Sequence, residues 1–151
     1  MIQTKGQKFG DLELFQMNNI VIAEPVLKVW KNVESFVYRS EDVVLTGFPK
    51  SGITWLQEIV WLIANDLDFE TAKKQIITER FPYFEFQTPG IKSIERIKSK
   101  RFIKTHLTPS LLFKECEDCK QINPNAYENQ EFPKVIAIFR SFPIISLKSF
   151  F

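Results

Sequence analysis

One segment, VVLTGFPKSGITW at residues 43–55, constrains the fold more than any other part of the sequence. A short apolar run rich in β-branched residues ends at Gly47 and predicts a strand buried on both faces. A loop closed by Gly52 then leads into residues 52–66, which are apolar nearly all round and predict a buried helix. A strand, loop and helix of this kind indicate an α/β fold with a parallel sheet.

The loop between the strand and the helix has the outline of an anion cradle, G-x-x-x-x-G-x-T. Backbone N–H groups at the helix start point toward one place, and the helix N-terminus adds partial positive charge there. Ser51 and Thr54 add hydroxyls, and Lys50 adds a mobile cation. The alternative is a strand-to-helix turn that holds no ligand. A P-loop phosphotransferase is a second alternative, but it needs a lysine where this chain has Ile53.

Two further predicted strands end in side chains that suit the same chemistry. Residues 101–105 end at His106, and residues 134–139 end at Arg140. Ligands of open α/β sheets bind at the carboxyl ends of the strands, so we expect these groups and the loop to share one crevice. His106 could act as a general base, Lys104 could lie beside it, and Arg140 could clamp a phosphate.

Each of these side chains also has a simpler interpretation. His106 could be a structural histidine held by hydrogen bonds, and Arg140 could be an ordinary surface arginine. No acidic residue in the three segments is placed to bind a metal, so we expect none.

The length of the chain fits one α/β domain, to which all of residues 1–151 are assigned. Helical spacing predicts helices over 25–37, 71–79 and 91–98, and a further helix is expected from Pro143. Residues 79–90 are rich in aromatic residues and proline and are predicted to be irregular. Residues 107–114 predict a turn that becomes a helix, and residues 116–133 predict a long polar loop.

Composition excludes several classes of protein. A net charge of +2 is too small to indicate nucleic-acid binding. The longest apolar stretch, residues 59–64, is too short for a membrane span, and the N-terminus lacks the apolar core of a signal peptide. We therefore predict a cytoplasmic protein without a membrane partner. Cys116 and Cys119 lack further zinc ligands and are interpreted as reduced thiols.

Four segments together resemble the cytosolic sulfotransferases. TGFPKSGITW resembles their 5′-phosphosulfate loop, and RFIKTHLTPSLL resembles the segment that carries their catalytic histidine. KVIAIFR resembles their third motif, and ERFPYFEFQTPGI resembles the segment between the first two. The order is the same, and the match corresponds to the N-terminal half of that family. The resemblance implies a P-loop-like three-layer fold with a parallel sheet, truncated at the C-terminus.

The resemblance also implies the donor 3′-phosphoadenosine 5′-phosphosulfate (PAPS), used without a metal. Lys50 would polarise the leaving phosphate. The residues implied to hold the 5′-phosphate are Ser51, Gly52 and Thr54. Trp55 would lie near the adenine.

Four further roles follow from the same resemblance. His106 would deprotonate the acceptor, and Lys104 would stabilise the developing charge. Arg140 would bind the 3′-phosphate, with Ser149 carried over more weakly. The implied acceptor is a small apolar phenol, alcohol or amine. Aromatic-rich segments suggest an apolar pocket for it, although each ring could instead belong to the core; the residues are Phe15, Phe81, Tyr83, Phe84 and Phe86.

The chain departs from the family pattern in three ways. Ile53 replaces a threonine. Lys148 occupies the position of the 3′-phosphate serine, and Ser149 matches only if Phe142 is an insertion. The family's chains are roughly twice as long. These departures define an alternative function, a non-catalytic sulfotransferase-like protein that binds nucleotide or another protein. Acceptor identity and oligomeric state are left open by the sequence.

Overall fold

The structure is a computed structural model that describes residues 2–17, 20–112, 133–140 and 145–150. These residues contain the strands β1 (Ile2–Phe9), β2 (Leu12–Met17), β3 (Ile20–Ala23), β4 (Val43–Gly47), β5 (Phe102–Thr105), β6 (Lys134–Arg140) and β7 (Ile145–Phe150). The helices within the described ranges are α1 (Glu24–Ser35), α2 (Ile53–Ala64), α3 (Phe69–Lys74), α4 (Ile77–Arg80), α5 (Gly90–Arg96) and α6 (Pro109–Leu112).

The central sheet has the strand order β5-β4-β6-β7. The first three strands are parallel, with Thr46 of β4 paired to Thr105 and Gly47 paired to Ile138. Every residue of β4 is buried, as expected for the middle of a parallel sheet. The carboxyl ends of β4 and β5 and the end of β6 therefore meet at one edge, as the sequence predicts.

Helices cover both faces of this sheet, which gives the three layers that the resemblance implies. Val44, Ile103 and Val135 face a core that also contains α1 and α5. On the opposite face, Leu45 and Ile138 pack against α2. The alternation of Val44 and Leu45 between the two cores follows from the side-chain period of a strand.

The N-terminal residues form a separate antiparallel sheet of order β1-β2-β3, which the sequence analysis does not anticipate. Its third strand runs directly into α1, where Pro25 occupies the first helical turn, a position that tolerates proline. Ile22 is buried in the core beneath α1, and Phe15 is partly buried against it. The meander therefore packs on the α1 side of the domain.

Two predictions need correction, and a third lies almost entirely outside the described residues. The helix expected from Pro143 is wrong, because the described residues beyond it form β7 antiparallel to β6. Ile145, Ser146, Leu147 and Lys148 alternate between apolar and polar residues, which is the period of a strand. The single helix expected over 71–79 is two short helices, α3 and α4. The loop predicted over 116–133, with Cys116 and Cys119, falls almost entirely outside the described residues.

Candidate active site

Residues 47–52, which we call the glycine loop, connect β4 to α2 through two left-handed residues. Lys50 has φ 67° and Gly52 has φ 100°, and the N–H of Ser51 donates to the carbonyl oxygen of Phe48 at 3.1 Å. A Cβ on Gly47 would lie 2.4 Å from Cγ2 of Ile138. The loop is therefore pressed against β6, and only glycine fits at its first position.

The glycine loop presents polar groups that are not satisfied by the protein itself. Ser51 is 3% exposed, and its Oγ has no hydrogen-bond partner in the described part of the chain. A buried hydroxyl without a partner costs free energy, so this atom marks a place where a ligand oxygen would be stabilised. Lys50 and Thr54 are exposed beside it, and Trp55 is 70% exposed at the start of α2.

His106 follows β5 and is joined to the glycine loop by its imidazole. Its Nδ1 lies 2.5 Å from the carbonyl oxygen of Gly47. Because a carbonyl oxygen can only accept, Nδ1 carries the proton of the neutral imidazole. Nε2 is then left with a free lone pair, which is the arrangement that a general base needs.

Burial lowers the pKa of His106 below its ordinary value. The hydrogen bond to Gly47 acts in the opposite direction, and the positive charge of Lys104 lowers the pKa further. The neutral imidazole is favoured because a half-buried cation loses solvation. The ligand-free protein therefore favours the neutral form of His106, which can accept a proton.

Lys104 lies next to His106 on the same edge of the sheet. Its Nζ lies 4.7 Å from the ring centroid of Tyr83, which also contacts His106 edge to face at 5.3 Å. Burial lowers the pKa of Lys104, and the negative charge of Glu85 partly offsets this effect. The structure thus brings Lys104 and His106 to one side of the glycine loop.

Glu85 is a member of this cluster that the sequence analysis missed. Its carboxylate accepts the backbone N–H of His106 at 2.6 Å and the hydroxyl of Thr105 at 2.7 Å. Burial raises the pKa of Glu85, and the hydrogen bonds that it accepts act in the opposite direction. The available signal was a lone acidic residue inside the aromatic run FPYFEF, where a carboxylate needs donors to be buried.

Four of the five aromatic residues considered for an acceptor pocket separate into two groups, and the fifth, Phe15, is partly buried against the core that contains α1. Phe81 and Phe84 are fully buried in the two cores, so they are packing residues rather than lining residues. The ring centroids of Tyr83 and Phe86 lie 4.1 Å apart with the ring planes tilted by 46°. Tyr83 contacts His106, and Phe86 is 52% exposed. Only this second pair borders the candidate site.

Arg140 and Ser149 occupy different places along β6 and β7. Arg140 ends β6 two residues beyond Ile138, which is the partner of Gly47. Ser149 pairs with Ile136, on the other side of Ile138 from Arg140. At about 3.3 Å per residue, this register leaves Ser149 well away from the edge that carries the glycine loop. The structure therefore does not bring Ser149 to the site.

The described residues contain no group of three or more His, Cys, Asp or Glu side chains arranged to hold a metal ion. None of their helices is long and apolar enough to cross a membrane.

Comparison with known proteins identifies one family. The profile described as "Sulfotransferase domain" matches residues 40–123, which is more than half of the chain. The chain is 39% identical over 114 residues to sulfotransferase 1E1 of Homo sapiens, covering 71% of this chain and 38% of that protein. It is 42% identical over 100 residues to sulfotransferase 1B1 of Mus musculus, covering 62% and 33%. The chain thus spans less than half the length of these relatives.

Solved structures with the same fold include retinol dehydratase in two complexes. The complex with retinol and PAP has a TM-score of 0.55 and 25% identity, covering 66% of this chain and 40% of that one. The complex with androsterone and the inactive cofactor PAP has a TM-score of 0.61 and 23% identity, covering 86% and 44%.

Proposed function

The chain belongs to the sulfotransferase domain family, and on this premise we propose that it binds PAPS and transfers its sulfonate to a small acceptor. The acceptor group in this proposal is a hydroxyl or an amine, on a phenol, an alcohol or an amine of apolar character. The chain would act through the edge where β4, β5 and β6 end.

The observation that carries the proposal is the contact between His106 and Gly47. One hydrogen bond of 2.5 Å joins the candidate base to the first residue of the loop that would hold the donor. It commits Nδ1 to the protein and leaves Nε2 available for an acceptor proton. Such a contact couples the position of the base to the position of the donor, and transfer in line depends on that relative position.

The glycine loop fits the donor's phosphate because of groups that the protein leaves unsatisfied. The unpartnered Oγ of Ser51 and the N–H groups at the start of α2 suit a phosphate oxygen. We assign Ser51, Gly52 and Thr54 to the 5′-phosphate and Lys50 to the leaving oxygen. Trp55 is exposed next to them and would contact the adenine. Arg140, at the end of β6, would bind the 3′-phosphate.

PAPS supplies an activated sulfonate when it is bound. In the proposed step the sulfur–oxygen bond to the phosphate breaks, and a bond from sulfur to the acceptor oxygen or nitrogen forms. The acceptor proton goes to Nε2 of His106, and the leaving phosphate keeps the electron pair beside Lys50. Lys104 would stabilise charge that develops on the transferring group. No role is assigned to Ser149, because its register places it away from this edge.

The apolar character of the acceptor is supported by Tyr83 and Phe86. These two rings are in contact at a tilted angle, and Tyr83 contacts His106 edge to face. An acceptor that reaches Nε2 would pass close to them. The cytoplasmic location inferred from the sequence stays a prediction.

Ile53 favours a second candidate function, in which the chain binds nucleotide without transferring sulfonate. Its side chain is 4% exposed and packs in the core beneath α2. It therefore offers no hydroxyl where the family has a threonine. A lost hydrogen bond to a charged group costs about 1.5–3 kcal/mol, which would weaken the hold on the 5′-phosphate.

Calorimetric titration with 3′-phosphoadenosine 5′-phosphate, without magnesium, tests the binding step. We expect saturable binding that Lys50→Ala weakens about 10-fold or more, the equivalent of one charge-assisted hydrogen bond. Lys73→Ala is the matched control, because Lys73 is an exposed cation paired with Glu70 on α3. A folded chain that does not bind this nucleotide would overturn the proposal.

A transfer assay then separates the two candidate functions. Labelled PAPS is supplied with a set of phenols, alcohols and amines. Transfer that His106→Gln abolishes while nucleotide binding persists supports the enzyme. Nucleotide binding by the wild type with no transfer to any acceptor supports the non-catalytic function.

A further inference from the structure

Glu85 lies in the segment between α4 and α5, and its buried carboxylate contacts the carboxyl end of β5. It has no part in the proposed transfer step. The residue is 5% exposed, and no ion pair of the described residues includes it. It is held instead by neutral donors, the backbone N–H of His106 and the hydroxyl of Thr105. Interaction with the hydroxyl of Tyr83 also lowers the pKa of Glu85. A buried carboxylate without a cation depends on each such donor.

The hydrogen bonds around Glu85 have one consistent direction. Oγ1 of Thr105 accepts the N–H of Leu107 at 3.0 Å and donates its own proton to Glu85. The carbonyl oxygen of Leu107 accepts the hydroxyl of Thr46 at 2.6 Å. These bonds tie together β4, the end of β5 and the segment that carries Glu85.

His106 is anchored at two points by this arrangement. Its backbone N–H is bound to Glu85 at 2.6 Å, and its imidazole is bound to the carbonyl oxygen of Gly47 at 2.5 Å. The second contact needs the first, because a change of the backbone at this position would swing Nδ1 away from the Gly47 oxygen. The orientation of the imidazole therefore depends on a side chain that it does not touch.

From this geometry we infer that Glu85 is a positioning residue, whose carboxylate holds the backbone of His106 so that the imidazole keeps its proton on Nδ1 and presents the lone pair of Nε2. Its consequence for catalysis rests on the proposed function. The tautomer itself can be measured without any reaction, so the two can fail separately.

A change of Glu85 to Gln tests the inference because it preserves size and removes one acceptor. If the amide oxygen faces Thr105, the amide N–H₂ meets the N–H of His106, and two donors oppose each other. If the oxygen faces His106, the N–H₂ must donate to Thr105, whose proton then loses its partner. In either orientation one buried donor is left without an acceptor. Because this costs free energy, we expect the backbone at the end of β5 to shift.

The readout is ¹⁵N NMR of the imidazole nitrogens in the full chain. His106 is the only histidine, so its signals need no assignment by mutation. The wild type at a pH above its titration is expected to show a single Nδ1–H tautomer. Glu85→Gln is expected to lose this pure pattern and to show a mixture with the Nε2–H tautomer. Glu58→Gln is the matched control, because that carboxylate pairs with Arg80 and is expected to leave the pattern unchanged.

Several outcomes would overturn the inference. A wild type that already shows a dominant Nε2–H tautomer would do so, and so would a Glu85→Gln variant that keeps the pure Nδ1–H pattern. If Glu85→Gln does not fold, Thr105→Val removes one donor of the carboxylate with a side chain of similar shape. An unchanged tautomer in that variant would equally count against the inference.

Nucleotide binding separates this inference from the proposed function. Glu85→Gln is expected to bind 3′-phosphoadenosine 5′-phosphate as the wild type does, and to lower kcat with little change in the KM for PAPS. A tautomer change in a protein that binds no nucleotide would leave the positioning role intact and overturn the function. If Glu85→Gln binds the nucleotide normally but keeps the wild-type tautomer, the positioning role is overturned and the proposed function is left intact.

Discussion

The imidazole of His106 hydrogen-bonds to the backbone of Gly47, with 2.5 Å between Nδ1 and the carbonyl oxygen. The two residues are 59 positions apart in the chain, and they meet because β4 and β5 are adjacent parallel strands. This one contact decides which nitrogen of His106 is available to a substrate. It also affects the pKa of His106, because the hydrogen bond exists only in the folded protein.

His106 is predicted to titrate below its ordinary pKa of 6.5 in the ligand-free protein, because burial disfavours the cation. A proton NMR titration of this single histidine measures the midpoint. As pH falls below 6.5, the unfolded chain binds the proton first, so the free energy of unfolding contributed by this group declines. Lys104→Met is expected to raise the midpoint, since it removes a nearby positive charge.

The chain unfolded in urea is the control for this titration, and its histidine should titrate near the ordinary value. A folded-state midpoint above that of the unfolded chain would contradict the prediction.

Gly47→Ala is predicted to destabilise the protein by about 1–3 kcal/mol, because the new methyl group would overlap Cγ2 of Ile138. Urea unfolding measures the cost. The change should also weaken nucleotide binding, since Oγ of Ser51 would lie 3.0 Å from the same methyl group.

Ile138→Ala is the partner mutation for a double-mutant cycle. Alone it leaves a cavity, and with Gly47→Ala it makes room for the added methyl group. The combined cost should therefore be smaller than the sum of the two single costs. Strict additivity would show that the two side chains do not compete for the same space.

Lys50→Gly is predicted to stabilise the fold and weaken nucleotide binding at once. Lys50 has φ 67°, a left-handed conformation that costs a non-glycine residue about 1–2 kcal/mol. Glycine removes this cost, but its greater freedom in the unfolded chain offsets part of the benefit. The expected net stabilisation is roughly 0.5–1 kcal/mol. Thermal unfolding and calorimetry on the same samples measure both effects.

Lys50→Ala separates the two causes, because it removes the charge and keeps the left-handed backbone. It should lose nucleotide affinity without any gain in stability. Equal stability of the glycine and alanine variants would rule out the strain.

Asp42→Ala is predicted to cost about 3–5 kcal/mol, because it leaves Arg101 as an unpaired buried charge. Asp42 is fully buried and lies 2.7 Å from Nε of Arg101, at the start of β4 and β5. The pair therefore fixes the two strands whose other ends carry the glycine loop and His106. Urea unfolding measures the loss.

Glu24→Ala is the control for this change, because Glu24 pairs with Lys28 on the exposed surface of α1. Exposed pairs contribute at most about 1 kcal/mol. If the two substitutions lower the free energy of unfolding by similar amounts, the buried pair stabilises the protein no more than an exposed pair does.

The elements predicted well from the sequence are those with a strong local pattern. β4 was predicted with its observed bounds, and α2, β5 and β6 were each predicted within two residues at either end. Their apolar runs and the glycines of the loop specify strand, turn and helix without help from distant residues. Because three of these strands are parallel, the meeting of Lys50 and His106 at one edge followed from their order alone.

The missed elements lack such a local signal. The residues of β1 are largely polar, and β7 forms by pairing along the free edge of β6. Glu85 was missed for a similar reason, since its partners Thr105 and His106 lie about twenty positions away. A side chain's hydrogen-bond partners depend on which backbone groups the fold brings near it.

The sequence by itself determined the glycine loop, the base that follows β5 and the parallel strands that carry them, because these depend on local propensity and on the geometry of parallel strands. Only the tertiary structure decided that Nδ1 of His106 binds Gly47 and that Glu85 holds the His106 backbone. It also decided that Ser149 lies opposite Ile136 rather than beside the loop. These are matters of register and of distances near 2.5 Å, which arise when separate segments pack together.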